Sequence, residues 1–171
     1  MPQLTDPNFA RSVVLLCEHG PDGAFGLVVN RPSEVAAASA VHLEPPMEQA
    51  NETPLLLGGP VEPNRGWILT SQAPDGIEHQ PIGAGLFLSA SPALLRRVLS
   101  TPTLARRTHV FAGCAGWGPG QLDAELAESS WLIAPVDLDL IFEIPAAASW
   151  EMAIQRLGAD WRTLQQGHGV H

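Results

Sequence analysis

The stretch Gly113-Cys114-Ala115-Gly116-Trp117-Gly118-Pro119-Gly120-Gln121 sets four glycines, a proline and a tryptophan between an apolar run and a helical pattern. Glycines in such a place let the backbone take positive φ and come close to a ligand, and a helix start offers unpaired N–H groups to an anion. The simpler reading is a tight strand-to-helix turn packed by Trp117. No Lys, Ser or Thr stands in the loop to complete a phosphate site. Asn30-Arg31-Pro32 closes another apolar run, and an arginine fork can hold a carboxylate or phosphate in two parallel hydrogen bonds. The simpler reading is a turn asparagine beside a salt-bridged arginine. Gly58 and Gly59 form an anion nest or a bend. Cys17, His19 and Cys114 are three soft ligands in principle, but their spacing matches no zinc pattern and no fourth ligand is evident. No metal or cofactor is expected, and His19 reads as a turn or core histidine. Motifs for nucleotide loops, serine hydrolases and zinc proteases (G-x-x-x-x-G-K-[ST], G-x-G-x-x-G, G-x-S-x-G, H-E-x-x-H) are absent from the sequence.

The elements that must position these residues follow from periodicity. Ser12 to Glu18 and Gly26 to Asn30 are apolar runs joined by the turn-forming His19 to Gly23, which predicts a hairpin. Ser33 is placed to cap a short helix through Ala40, and residues 43 to 54 read as an acidic loop. Short strands are expected at Leu55 to Leu57, Gly66 to Thr70, Ile77 to His79, Gly85 to Leu88 and His109 to Ala112. Ser91-Pro92 starts a helix whose Leu94, Leu95, Val98 and Leu99 share one face. Further helices are expected from Gln121 to about Ser129 and from Trp150 to Leu157, with a strand at Trp131 to Ala134, a short apolar segment around Leu138 to Phe142, and a frayed tail from Gln166. Hairpins mixed with helices point to a mixed α/β fold, a mostly antiparallel sheet with helices packed on it.

A chain of 171 residues fits one domain, residues 1–171. The net charge of −9, with nine arginines and no lysine, argues against direct nucleic-acid binding. No apolar run is long enough to cross a membrane. The N-terminus lacks the basic and apolar regions of a signal peptide, so a cytoplasmic location is expected, with both cysteines reduced. His19, Asn30, Arg31, Gly58, Gly59 and Gly116 to Gln121 all sit at strand ends or glycine turns, where α/β folds place their sites, and are expected to share one face. No catalytic set is complete. A binding or regulatory module acting through protein or small-molecule contacts is the first reading. An enzyme acting on a small anionic substrate at the Asn30-Arg31 and glycine-rich face is the second, and DNA binding the last.

Five segments in order carry a resemblance: Asp6-Pro7-Asn8-Phe9-Ala10-Arg11-Ser12-Val13, Cys17-Glu18-His19, Gly23 to Pro32 (GAFGLVVNRP), Gly58-Gly59-Pro60-Val61, and Ala115-Gly116-Trp117-Gly118-Pro119-Gly120-Gln121-Leu122. Together with Trp131-Leu132 and Ile141-Phe142 they resemble the AlgH/YqgE-like family over nearly the whole chain. The resemblance implies a flattened, partly closed sheet flanked by helices. It implies little about activity, since the family's transcriptional-regulator label rests on a link to alginate production rather than on a DNA-binding motif. Carried onto this sequence, the family's shared positions are His19, Asn30, Arg31, Gly58, Gly59, Gly116, Trp117, Gly118, Gly120 and Gln121. Cys114 stands where the family commonly has tyrosine. The resemblance also implies an apolar strand ahead of Met1-Pro2. Without one, the expectation is an open sheet edge, either covered by Met1 to Phe9 or paired in a weak dimer.

Overall fold

The computed structural model describes residues 6–159, and the chain divides into two compact units, Met1–Asn30 with Gly116–His171 and Arg31–Ala115. The fold is mixed α/β, with eight strands and six helices among the described residues. Pairings within the units are antiparallel except one.

The first unit opens with a turn at Asp6, whose carbonyl accepts from the N–H groups of Phe9 and Ala10. Strands β1 (Val14–Gly20) and β2 (Gly23–Val28) form the expected hairpin. Its turn is tighter than the sequence indicates: Gly20 pairs with Gly23, leaving only Pro21 and Asp22 between them. A bulge at Cys17 shifts the register between Leu16 and Glu18.

In the second unit, β3 (Pro32–Ala36) and a single turn of helix α1 (Ala37–Ala40) replace the helix expected from Ser33. Pairing decides this: β3 lies antiparallel on β4 (Pro54–Leu57), and Ser33 bonds Val35 rather than capping a helix. Ladder contacts override the helical preference of alanine. β5 (Val61–Thr70) runs well ahead of the expected strand. β6 (Gln80–Gly83) begins just after the segment read as strand, and β7 (Leu86–Ser89) pairs with both β6 and β5. Helix α2 (Pro92–Ser100) starts with proline in its first turn and buries Leu94, Leu95, Val98 and Leu99, as its spacing predicts. These side chains form a core with Ala37, Leu55, Ile68 and Val110.

After the turn of helix α3 (Pro102–Ala105) comes β8 (Thr108–Trp117), parallel to β4 and antiparallel to β5. Half of the glycine-rich stretch is therefore strand, and only Gly118 to Gly120 form the turn. The chain re-enters the first unit at Gly116, at the end of β8, and continues into α4 (Gln121–Ala127), α5 (Leu138–Phe142) and α6 (Ala146–Arg156). Between α4 and α5, residues 131 to 134 belong to no strand, contrary to their β-type composition. Gly158, with φ of 76°, ends the last helix as expected. The tail from Gln166 and residues 1–5 of the segment expected to fold back lie outside the described residues.

Candidate functional site

The hairpin turn and the start of α4 are built on each other. A Cβ at Gly23 (φ 136°) would lie 2.3 Å from the carbonyl oxygen of Trp117, so only glycine permits this approach. His19 Nε2 meets Asp123 Oδ1 on α4 at 3.0 Å. In the turn itself, Gly118 N–H donates to Gln121 Oε1 (3.0 Å) and Gln121 N–H to the Gly118 carbonyl (3.1 Å).

Glu125, one turn further along α4, gathers three donors. Its Oε2 accepts from Trp117 Nε1 (3.0 Å) and Trp131 Nε1 (2.7 Å), and its Oε1 accepts from Gln121 Nε2 (3.0 Å). The two indoles stand edge to face at 5.8 Å. Phe9 stacks against Trp117 at 6.2 Å and meets Trp131 edge-on at 5.5 Å. A carboxylate on two indole N–H groups thus fixes an aromatic cluster that also holds the chain ahead of β1.

Trp117 and Trp131 of this cluster line an apolar groove of about 400 Å³, contained in the first unit. β1 contributes Val14 to Leu16, α4 contributes Leu122 and Leu126, α6 contributes Trp150, Ile154 and neighbouring residues, and the strand-free segment 131–136 closes it. Its polar lining is confined to Ser12, His19 and Asp137. Ser12 Oγ already donates to the Phe9 carbonyl at 2.7 Å. Several lining side chains remain open to solvent: Leu16, Leu132, Val136, Leu157 and above all Ile133, 75% exposed. At one end Asp137 caps α5 through the N–H groups of Asp139 and Leu140 and pairs with Arg156. The hydrogen bond from Arg156 holds its carboxyl below the usual value, opposed by burial and helped by the capped N–H groups.

The residues singled out from sequence fall into two sets. His19, Asn30, Gly116, Trp117, Gly118, Gly120 and Gln121 belong to the first unit, and Arg31, Gly58 and Gly59 to the second. Within the first unit, His19 comes together with Trp117 to Gln121, but Asn30 does not join them. The pairing of Val14 with Val28 and His19 with Ala24 puts Asn30 at the opposite end of the hairpin. There its amide is engaged at both ends, accepting from Val13 N–H (2.9 Å) and donating to the Arg11 carbonyl (3.0 Å). In the second unit, the Arg31 carbonyl accepts from Leu57 N–H, and Gly58 N–H donates to Ala112. Gly59 (φ 147°) runs so close to Cys114 that a Cβ would sit 2.3 Å from that residue's carbonyl oxygen. Both cysteines are free thiols. Burial pushes the Cys114 thiol up, Glu62 adds to this, and Arg65 opposes it. The ion-pair geometry of His19 with Asp123 orients its ring toward α4. Of the groove lining only His19 and Trp117 were singled out; Glu125, Phe9, Trp131 and the apolar lining residues were not. For the lining at residues 131–136 the signal was the apolar run from Trp131, read over Trp131 to Ala134 as a strand.

Fold and site together define a mixed α/β protein whose helices and hairpin enclose an apolar groove beside a glycine-rich strand-to-helix turn. The chain belongs to the AlgH-like family, whose model matches residues 1–162. UPF0301 proteins of Xanthomonas campestris pv. campestris and Xanthomonas oryzae pv. oryzae are each 39% identical over 163 residues, covering 94% of this chain and 86% of theirs. The solution structure of the AlgH protein from Pseudomonas aeruginosa is similar with a TM-score of 0.78 and 32% identity, covering all of this chain and 91% of its own. A crystal structure from Corynebacterium diphtheriae (TM-score 0.70, 23% identity, 91% of this chain and 82% of its own) shares the fold.

Proposed function

We propose that the protein is a cytoplasmic binding or regulatory module, a single domain and a monomer or weak dimer, that receives an apolar ligand or partner segment in the groove of its first unit. The groove carries this reading. Some 400 Å³ of space bounded by leucine, isoleucine, valine and tryptophan side chains falls within the size of small-ligand sites. A family model spanning both units supports treating them as one domain. Two free thiols fit a reducing compartment. A regulatory role would run through what the groove holds. The reading as an enzyme on a small anion is weakened by the occupied amide of Asn30, the Gly118 N–H already taken by Gln121, and the carboxylates of Asp123 and Glu125 beside that turn.

A neutral fluorescent apolar dye, N-phenyl-1-naphthylamine, tests this. The native protein should bind it with enhanced fluorescence and a raised melting temperature, as any ligand of the folded state produces. Ala153→Trp, which fills the groove from α6, should abolish both while the circular dichroism spectrum stays native. A dye signal equal in wild type and variant would count against the groove.

A further inference from the structure

The formal charge is divided very unequally between the two units. The first contains eleven Asp and Glu against three Arg, net −8, and the second contains seven against six, net −1, which together give the −9 of the whole chain. The groove therefore lies in the unit that carries nearly all of the negative charge. Carboxylates are attached to its walls as well: Asp123 holds His19, Glu125 holds Trp117 and Trp131, and Asp137 lines it. Arg156 pairs with Asp137 and Arg11 lies over Trp150, so the negative excess rests on the other acidic side chains of the unit. Glu18 on β1 and Asp139 on α5 are exposed on elements that form it.

A surface of this kind selects its occupant. An anionic lipid or fatty acid would meet the apolar lining but be repelled by the rim, and a second copy would bring a like-charged or nearly neutral unit. We propose that the groove binds a cationic, apolar peptide segment of a partner protein: leucine-type side chains enter between β1, α6 and the segment 131–136, and Arg or Lys side chains reach the surrounding carboxylates. This rests on the groove being the binding site and adds the class of partner. Apolar anchors supply the affinity, and the charges supply encounter rate and discrimination against acidic chains.

The test titrates labelled synthetic peptides into the full-length protein, with fluorescence anisotropy as readout and the neutral dye as a parallel probe of the groove. Peptides alternating Leu with Arg, Leu with Glu, and Ser with Arg are compared. The Leu/Arg peptide should bind and displace the dye, and the other two should not. Raising salt from about 50 mM to about 500 mM should weaken binding several-fold, because exposed charges are screened within a few ångströms at high salt. Ile133→Asp, a change at a 75%-exposed position whose native fold circular dichroism should confirm, should weaken it about tenfold or more through loss of one anchor that binding would bury. The double variant Asp123→Asn, Asp139→Asn should weaken the Leu/Arg peptide while leaving the neutral dye unaffected. Dye binding with no preference for the cationic peptide would overturn this proposal and leave the groove reading standing. Absence of both dye and peptide binding would overturn both. Equal binding of the Ser/Arg peptide would reduce the effect to bulk charge and reject the groove as its seat. A dimer in sedimentation that Ile133→Asp disperses would assign the groove to a second copy instead.

Discussion

The Glu125 carboxylate carries a stability effect that can be worked out donor by donor. In Glu125→Ala, three donors lose their acceptor. An unpaired buried donor costs about 1–3 kcal/mol, with bonds to charged groups toward the upper end. Trp117, 8% exposed, bears that cost in full. Trp131 is half-buried and can turn its N–H toward water, so it loses less, and Gln121 is exposed and loses little. The expected sum is about 2–4 kcal/mol, which for a chain of this length lowers the melting temperature by roughly 5–12 °C. Glu125→Gln keeps one carbonyl oxygen for the two indoles and should cost about 1 kcal/mol. Thermal unfolding followed by circular dichroism measures the stability, and near-ultraviolet dichroism reports whether the two tryptophans lose their fixed geometry. If Glu125→Ala melts within about 1 °C of wild type, or if Glu125→Gln is as damaging as the alanine, the carboxylate does not organise the cluster.

Three further outcomes follow from the same structure. Gly59→Ala and Gly23→Ala each place a Cβ 2.3 Å from a backbone carbonyl oxygen and should cost more than about 3 kcal/mol, whereas Gly120→Ala, with open space around it, should cost only about 1–2 kcal/mol for its left-handed φ; denaturant titration ranks them. Asp137 has its pKa lowered in the folded state, so its contribution is present above the ordinary value of 3.8 and is lost as pH falls through the lower folded value; Asp137→Asn should flatten the acid limb of a stability-versus-pH curve and leave the neutral region less stable by a nearly constant amount. A thiol reagent at neutral pH should modify Cys17 well before Cys114, whose burial suppresses the thiolate, and the unfolded protein should show two reactive thiols without reductant.

What could be read from the sequence was local, and what could not was set by neighbours distant along the chain. The face of α2 and its Ser91-Pro92 start repeat within a few residues, and both appear where the spacing puts them. The β1–β2 hairpin is likewise a short-range event, and even its tighter turn involves residues already marked as turn formers. β8 absorbed glycines that read as loop because β5 supplies the ladder, with Val61 opposite Cys114 and Gly66 opposite Ala112. Nothing within the stretch itself announces that partner. The same reasoning explains the misreading of residues 131 to 134. Trp131 and Leu132 have strand composition, but the indole N–H finds its acceptor on α4, six positions back, and the segment spends its apolar side chains on a groove wall instead of a ladder. Glu125 was invisible for a related reason. In sequence it is one more carboxylate in a short helix, and only the convergence of Trp117 from eight positions earlier and Trp131 from six later turns it into an anchor. A groove is harder still to see, because it is defined by volume that side chains leave unfilled. That an apolar run fails to pair while its side chains stay exposed is therefore the informative observation. It separates a groove wall from a strand built for a sheet, and Ile133, the most exposed large apolar side chain described, is where that distinction can be measured.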